Sequence, residues 1–121
     1  MWQCGLNEKI GPAATAILQT RISNEWYENI FLGIFCGILM YIAVSKFEDA
    51  PYLTLMCIPA FILFGANHCV ADMVYTSIAI TTENFIPAIM ALCFTTIGNF
   101  IGCNLIPAAL TYHKLRLIET Q

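Results

Sequence analysis

Three long apolar stretches, with one carboxylate among them, limit what this chain can fold into. Residues 29–45 and 85–112 contain no charged side chain, and residues 52–82 contain Asp72 as their one acid. Over the whole chain 59% of the residues are hydrophobic and 11% are charged, whereas a soluble domain carries about 25% charged residues. The sequence therefore predicts an all-α integral membrane protein. A net charge of −3 gives no indication of a nucleic-acid partner.

A helix of roughly 20 apolar residues crosses the hydrocarbon core of a bilayer. The middle stretch, with about 30 residues, is too long for one simple crossing, so we expect a helix that is broken near 72–76. The membrane domain over 29–112 then holds three spans. The predicted segments are an N-terminal segment (1–28), spans over 29–45, 52–82 and 85–112, and a polar tail (113–121).

The orientation follows from the basic residues that flank the spans. Three of them lie on the side of the tail and of Lys46, and two lie on the opposite side. Basic residues favour the cytoplasmic side. The sequence therefore predicts a multi-pass protein of the cell (inner) membrane with a cytoplasmic C-terminus.

A polar cluster interrupts the middle stretch: Asn67, His68, Cys69 and Asp72. On a continuous helix His68 and Asp72, four residues apart, share one face and form a structural hydrogen-bond pair in the simplest interpretation. His68, Cys69 and Asp72 are also metal-ligand types, although metal sites usually need three or four converging ligands. A catalytic Cys–His pair is disfavoured because adjacent helix residues point in different directions.

A pore is the third interpretation of the cluster. The imidazole of His68 exchanges a proton near neutral pH and can donate a hydrogen bond to a small anion that has lost its water. A broken helix adds partial positive charge at the N-terminus of its second half. Together these features are typical of a mid-membrane site for a small monovalent anion.

Three segments of the chain resemble the formate/nitrite transporter family. GANHCVADM (65–73) resembles the pore motif of the family, which usually reads Gly-Phe-Glu-His-Ser/Cys-Ile/Val-Ala-Asn-Met. GIFCGILM (33–40) resembles its fourth helix, and IGNFIG (97–102) resembles the Leu-Gly-Asn-x-x-Gly of its sixth helix. The resemblance extends over about residues 14–112 and corresponds to the C-terminal half of a family protomer.

The resemblance implies one inverted repeat of the aquaporin-like fold, in a family that forms pentamers of six-helix protomers. It implies transport of small monovalent anions of the formate, nitrite or hydrosulfide type, some with a proton, without a cofactor, a metal or an enzymatic reaction. At the matching positions His68 is the central pore histidine and Phe61 an apolar constriction residue. Asn99 corresponds to a polar pore-side residue, and Arg21 to a basic residue of the outer vestibule.

Two further pore positions depart from the family pattern. Asn67 stands where glutamate is usual and Asp72 where asparagine is usual, so the acid and the amide are exchanged across His68. A carboxylate at the pore repels anions unless it is protonated or paired.

Because one half of a protomer is matched, we expect a half or truncated subunit, completed by a complementing N-terminal half or within a homo-oligomer. The alternative is a non-transporting membrane component that packs on other helices through Gly98-x-x-x-Gly102. A membrane metal-binding protein that uses the polar cluster is a third hypothesis.

Overall fold

The computed structural model describes residues 6–119, which form five helices and no strand. In chain order the helices are α1 (Leu6–Ser23), α2 (Trp26–Ser45), α3 (Pro51–Leu63), α4 (Cys69–Ala79) and α5 (Phe85–Glu119). The all-α prediction is confirmed for this part of the chain. Residues 1–5 of the predicted N-terminal segment and residues 120–121 of the predicted tail lie outside it. α1 occupies much of the former, and α5 continues into the latter.

Two of these helices, α2 and α5, are long and apolar enough to cross a membrane. α2 begins at Trp26, before the predicted start of the first span, where a side-chain oxygen of Glu28 accepts a hydrogen bond from the backbone N–H of Glu25 at 3.0 Å. Such a contact satisfies one of the N–H groups at a helix start. The predicted middle span is divided between the two shorter apolar helices α3 and α4.

Glycines hold α2 and α5 backbone against backbone. A Cβ atom on Gly37 would lie 2.5 Å from the carbonyl oxygen of Asn99, and one on Gly33 would lie 2.8 Å from that of Thr95. Carbon atoms do not approach carbonyl oxygens this closely, so a side chain there would force the two helices apart. The buried contact consists of two G-x-x-x-G motifs, Gly33 and Gly37 on α2 with Gly98 and Gly102 on α5. The Gly98-x-x-x-Gly102 motif, which the alternative interpretation assigns to packing on other helices, therefore packs on α2 of the same chain.

The break in the middle span lies at residues 64–68, and its prediction near 72–76 is wrong. Gly65 adopts a left-handed backbone with φ 61°, which costs glycine nothing. Its N–H donates to the carbonyl of Ile62 at 3.1 Å, and the Ala66 N–H donates to that of Phe61 at 2.9 Å. This is the Schellman arrangement that ends a helix. Residues 72–76 are helical because a negative charge in the first turn, here Asp72, stabilises a helix start.

α1 lies against α4 and the start of α5. Ala14 and Leu18 of α1 form a buried apolar cluster with Ala79 of α4 and Ala88 of α5. Small side chains at three of these four positions let the helices approach closely. The contact places the last turn of α1, which carries Arg21, beside the break between α3 and α4.

Candidate functional site

His68 stands at the start of α4 as its N-terminal cap. Its backbone is extended, with φ −106° and ψ 115°, and its Nδ1 accepts a hydrogen bond from the backbone N–H of Ala71 at 3.5 Å. An imidazole that accepts at Nδ1 in its neutral form carries its proton on Nε2. The ring is half-buried, and no side chain or backbone group of residues 9–119 hydrogen-bonds its Nε2. The cap therefore fixes the ring and leaves an N–H donor free.

Phe61 in the last turn of α3 stacks on the imidazole of His68. The ring centroids are 5.9 Å apart and the planes are inclined by 30°. Phe61 is also half-buried, so the two rings form one surface at the break. The structure thus brings together the predicted constriction residue and the predicted central histidine, one from each half of the broken helix.

Asn99 of α5 holds the break on both sides of His68. Its Nδ2 donates to the backbone carbonyls of Asn67 at 2.7 Å and of Gly33 at 3.1 Å. Its Oδ1 accepts from the backbone N–H of Cys69 at 3.1 Å. A chain that leaves helical geometry inside a membrane must find such partners for its backbone. Asn99 is buried, so in this arrangement its side chain serves the loop rather than an open surface.

Asn67 is fully buried and points into the protein. Its Nδ2 donates to Oδ1 of Asn29 at 2.8 Å and to the Thr95 hydroxyl at 3.3 Å. Asn29 in turn donates to the backbone carbonyl of Arg21 at 3.0 Å. The side-chain oxygen of Asn67 is buried without a hydrogen-bond partner in the described part of the chain. The structure therefore separates Asn67 from the surface formed by Phe61 and His68.

Arg21 makes an ion pair with Asp72. The Nε of Arg21 lies 3.4 Å from Oδ1 of Asp72, and its guanidinium also donates to the backbone carbonyl of Gly65 at 3.2 Å. The side chains are 14% and 6% exposed, respectively. The predicted vestibule residue is thus mostly covered, and it joins α1 to the loop and to α4. The positive charge of Arg21 also offsets the repulsion that an isolated carboxylate at Asp72 would exert on an anion.

Asn29 and Thr95 belong to this polar group, although the sequence analysis did not single them out. Both are almost fully buried inside helices that read as charge-free spans. The available signal was an amide and a hydroxyl in long apolar stretches, where polar groups need a partner. Among the side chains of residues 9–119, no three His, Cys, Asp or Glu residues converge to hold a metal ion.

Comparison with known proteins identifies the family. The model of the formate/nitrite transporter family matches residues 1–113. The formate channel FocA of Haemophilus influenzae is 32% identical over 85 residues, a match that covers 65% of this chain and 30% of that relative. The matched part is thus well under half of the length of this relative, and no solved structure matches the chain significantly. Members of this family are channels and transporters of the membrane rather than enzymes, and the chain belongs to the formate/nitrite transporter family.

Proposed function

We propose that the chain contributes to a membrane path for small monovalent anions of the formate, nitrite or hydrosulfide type. The observation that carries this proposal is the placement of His68 at the break of the middle span, with Nδ1 engaged and Nε2 free to donate. The family match and the formate channel among its relatives support the choice of substrate class. In this proposal the anion passes the surface made by Phe61 and His68.

The chemistry at the break suits an anion that has lost part of its hydration. The N–H on Nε2 of His68 offers a hydrogen bond where apolar side chains offer none. α4 begins at this point, so the partial positive charge of its N-terminus adds to the attraction. The ring of Phe61 places an apolar surface against the imidazole, and a less polar environment strengthens these interactions.

An enclosed path needs more helices than the described residues provide. We propose that they come from a complementing three-helix half, and that protomers assemble as a homo-oligomer of the pentamer type in the lipid bilayer. In this arrangement the chain forms one inverted repeat of three spans, its α3 and α4 together making the broken span. The flanking basic residues favour a cytoplasmic C-terminus in the inner membrane.

The test is anion flux into proteoliposomes that contain the chain, alone and together with a co-expressed N-terminal half. His68→Asn is the informative variant, because asparagine is a good N-terminal cap and lacks the imidazole. We expect it to fold and to lose about tenfold or more of formate, nitrite or hydrosulfide flux. His113→Asn, at an exposed position late in α5, is the matched control and should leave flux unchanged. Equal flux in wild type and His68→Asn would refute the role of His68.

A further inference from the structure

Arg21 reaches across three elements with one side chain. It extends from the last turn of α1, contacts the carbonyl of Gly65 in the loop, and pairs with Asp72 in the first turn of α4. The carbonyl of Gly65 is one of the groups that the broken helix leaves without an intrahelical partner. Arg21 therefore fixes the loop that carries His68 at the same time as it balances the charge of Asp72.

Asp72 lies within the electrostatic reach of the predicted anion path. It is one helical turn from His68, its N–H donates to the carbonyl of His68 at 2.8 Å, and it is buried. A buried carboxylate repels an anion strongly because water does not screen it. Arg21, the one basic residue hydrogen-bonded to Asp72 in residues 6–119, reduces the net charge of the pair to zero.

We infer that Arg21 and Asp72 form a self-neutralising pair that sets the charge selectivity of the site at His68. In this role Arg21 is a positioning and charge-balancing residue and does not itself hold the anion. The inference rests on the proposed anion transport. It differs from the vestibule role that the sequence predicted, since it makes the effect of Arg21 conditional on the carboxylate at position 72.

The condition gives opposite expectations for the two partners. Arg21→Met leaves a buried negative charge and should lower formate flux by about tenfold or more at pH 7.5. Asp72→Asn leaves a positive charge, and asparagine can still accept from Arg21, so the half-saturating formate concentration should fall several-fold. The double variant Arg21→Met/Asp72→Asn is neutral again and should recover to within about threefold of wild type. Lys9→Met removes a positive charge from an exposed position of α1, alters the charge bias across the membrane in the same way as Arg21→Met, and should change nothing.

The dependence on pH separates charge from structure. Without Arg21, Asp72 can be neutralised by a proton, so the flux of Arg21→Met relative to the double variant should rise toward one as the pH is lowered from 7.5. The ionisable groups that interact with Asp72 are Arg21 of α1, His68 of the loop and Cys36 of α2, and α5 contributes the Thr95 hydroxyl. His68 and Cys36 are present in both variants, so the ratio changes only through the charge at position 72 and its effects on these neighbours. A variant that is merely misfolded would show no such recovery.

Several outcomes overturn the inference. They are a double variant no better than Arg21→Met, a ratio that does not change with pH, or an Asp72→Asn variant whose half-saturating formate concentration is unchanged or higher. Asp72→Asn keeps the test decisive if Arg21→Met does not fold.

If the proposed function is wrong, wild type and His68→Asn will show equal flux. In that case the melting temperatures of the wild type, the two single variants and the double variant in detergent still decide whether the pair is self-neutralising. A double variant with a higher melting temperature than Arg21→Met supports the pair, and additive losses overturn it.

Discussion

Replacing Asn99 with alanine removes three hydrogen bonds from the break at once. The lost contacts are those to the carbonyls of Gly33 and Asn67 and to the N–H of Cys69, at 3.1, 2.7 and 3.1 Å. Net contributions of about 0.6 to 1.5 kcal/mol for each of the three bonds give a loss of about 2 to 4.5 kcal/mol in the free energy of unfolding. The loss is local in origin, because two of the three groups belong to Asn67 and Cys69, the direct neighbours of His68.

The assay combines global and local stability in detergent micelles. SDS-induced unfolding, followed by far-ultraviolet circular dichroism, gives the change in free energy. Amide hydrogen exchange of Cys69 gives local opening, which should accelerate about tenfold for every 1.4 kcal/mol of local destabilisation. Asn104→Ala is the matched control, because Asn104 lies on the same helix, is exposed, and donates within that helix to the carbonyl of Phe100 at 2.7 Å.

Comparison with the Asn104→Ala control gives the outcome that contradicts this prediction. If Asn99→Ala loses no more than about 0.5 kcal/mol relative to Asn104→Ala, the loop does not depend on Asn99. Unchanged exchange at Cys69, with the predicted global loss, would place the role of Asn99 in the contact between α2 and α5 instead. Asn99→Asp is a stricter variant. It keeps the size of the side chain and the oxygen that accepts from Cys69, but it replaces Nδ2 with an oxygen that faces the carbonyls of Gly33 and Asn67. It should be at least as damaging as alanine.

Three further changes are predicted from the packing and the loop. Gly37→Ala places a Cβ 2.5 Å from the carbonyl of Asn99 and should destabilise the protein by about 1 to 3 kcal/mol in SDS unfolding. Gly65→Ala has free space but a φ of 61°, so the loss should be about 1 to 2 kcal/mol, and Gly65→Asn should lose less. Phe61→Ala removes the ring that covers His68, and we expect a higher flux ratio of acetate to formate in proteoliposomes.

The sequence was sufficient for the broad architecture because the bilayer leaves few alternatives. Backbone groups in hydrocarbon must be paired internally, so apolar stretches of this length predict helices. The structure has helices over each of the three stretches, and α2 and α5 meet the length and hydropathy of a span. The family was predicted from the motif around His68 and is confirmed by the match over residues 1–113.

The position of the break could not be read from polarity alone. Polar residues over 67–72 suggested that the helix ends where the carboxylate is, but hydrogen bonding and backbone conformation decide the point. Gly65 ends α3 because it adopts the left-handed conformation, and His68 starts the next helix as its cap. Arg21 also required the structure, since its pairing with Asp72 depends on how α1 packs, over 51 residues of sequence separation.

His68 is distinguished from its polar neighbours by a ring nitrogen, Nε2, that makes no hydrogen bond within the described residues. Arg21 binds the carbonyl of Gly65, and Asn99 binds backbone groups of Asn67 and Cys69. The oxygens of Asn67 and Asp72 that have no partner are completely covered. The contacts of Arg21 and Asn99 are therefore explained by the requirement that a broken helix in a membrane satisfy its backbone, whereas the two covered oxygens cannot reach an anion on the surface of the break. His68 differs from both sets, because it is half-buried, caps α4 through Nδ1 and has Nε2 available, so its side chain can reach an anion at the break.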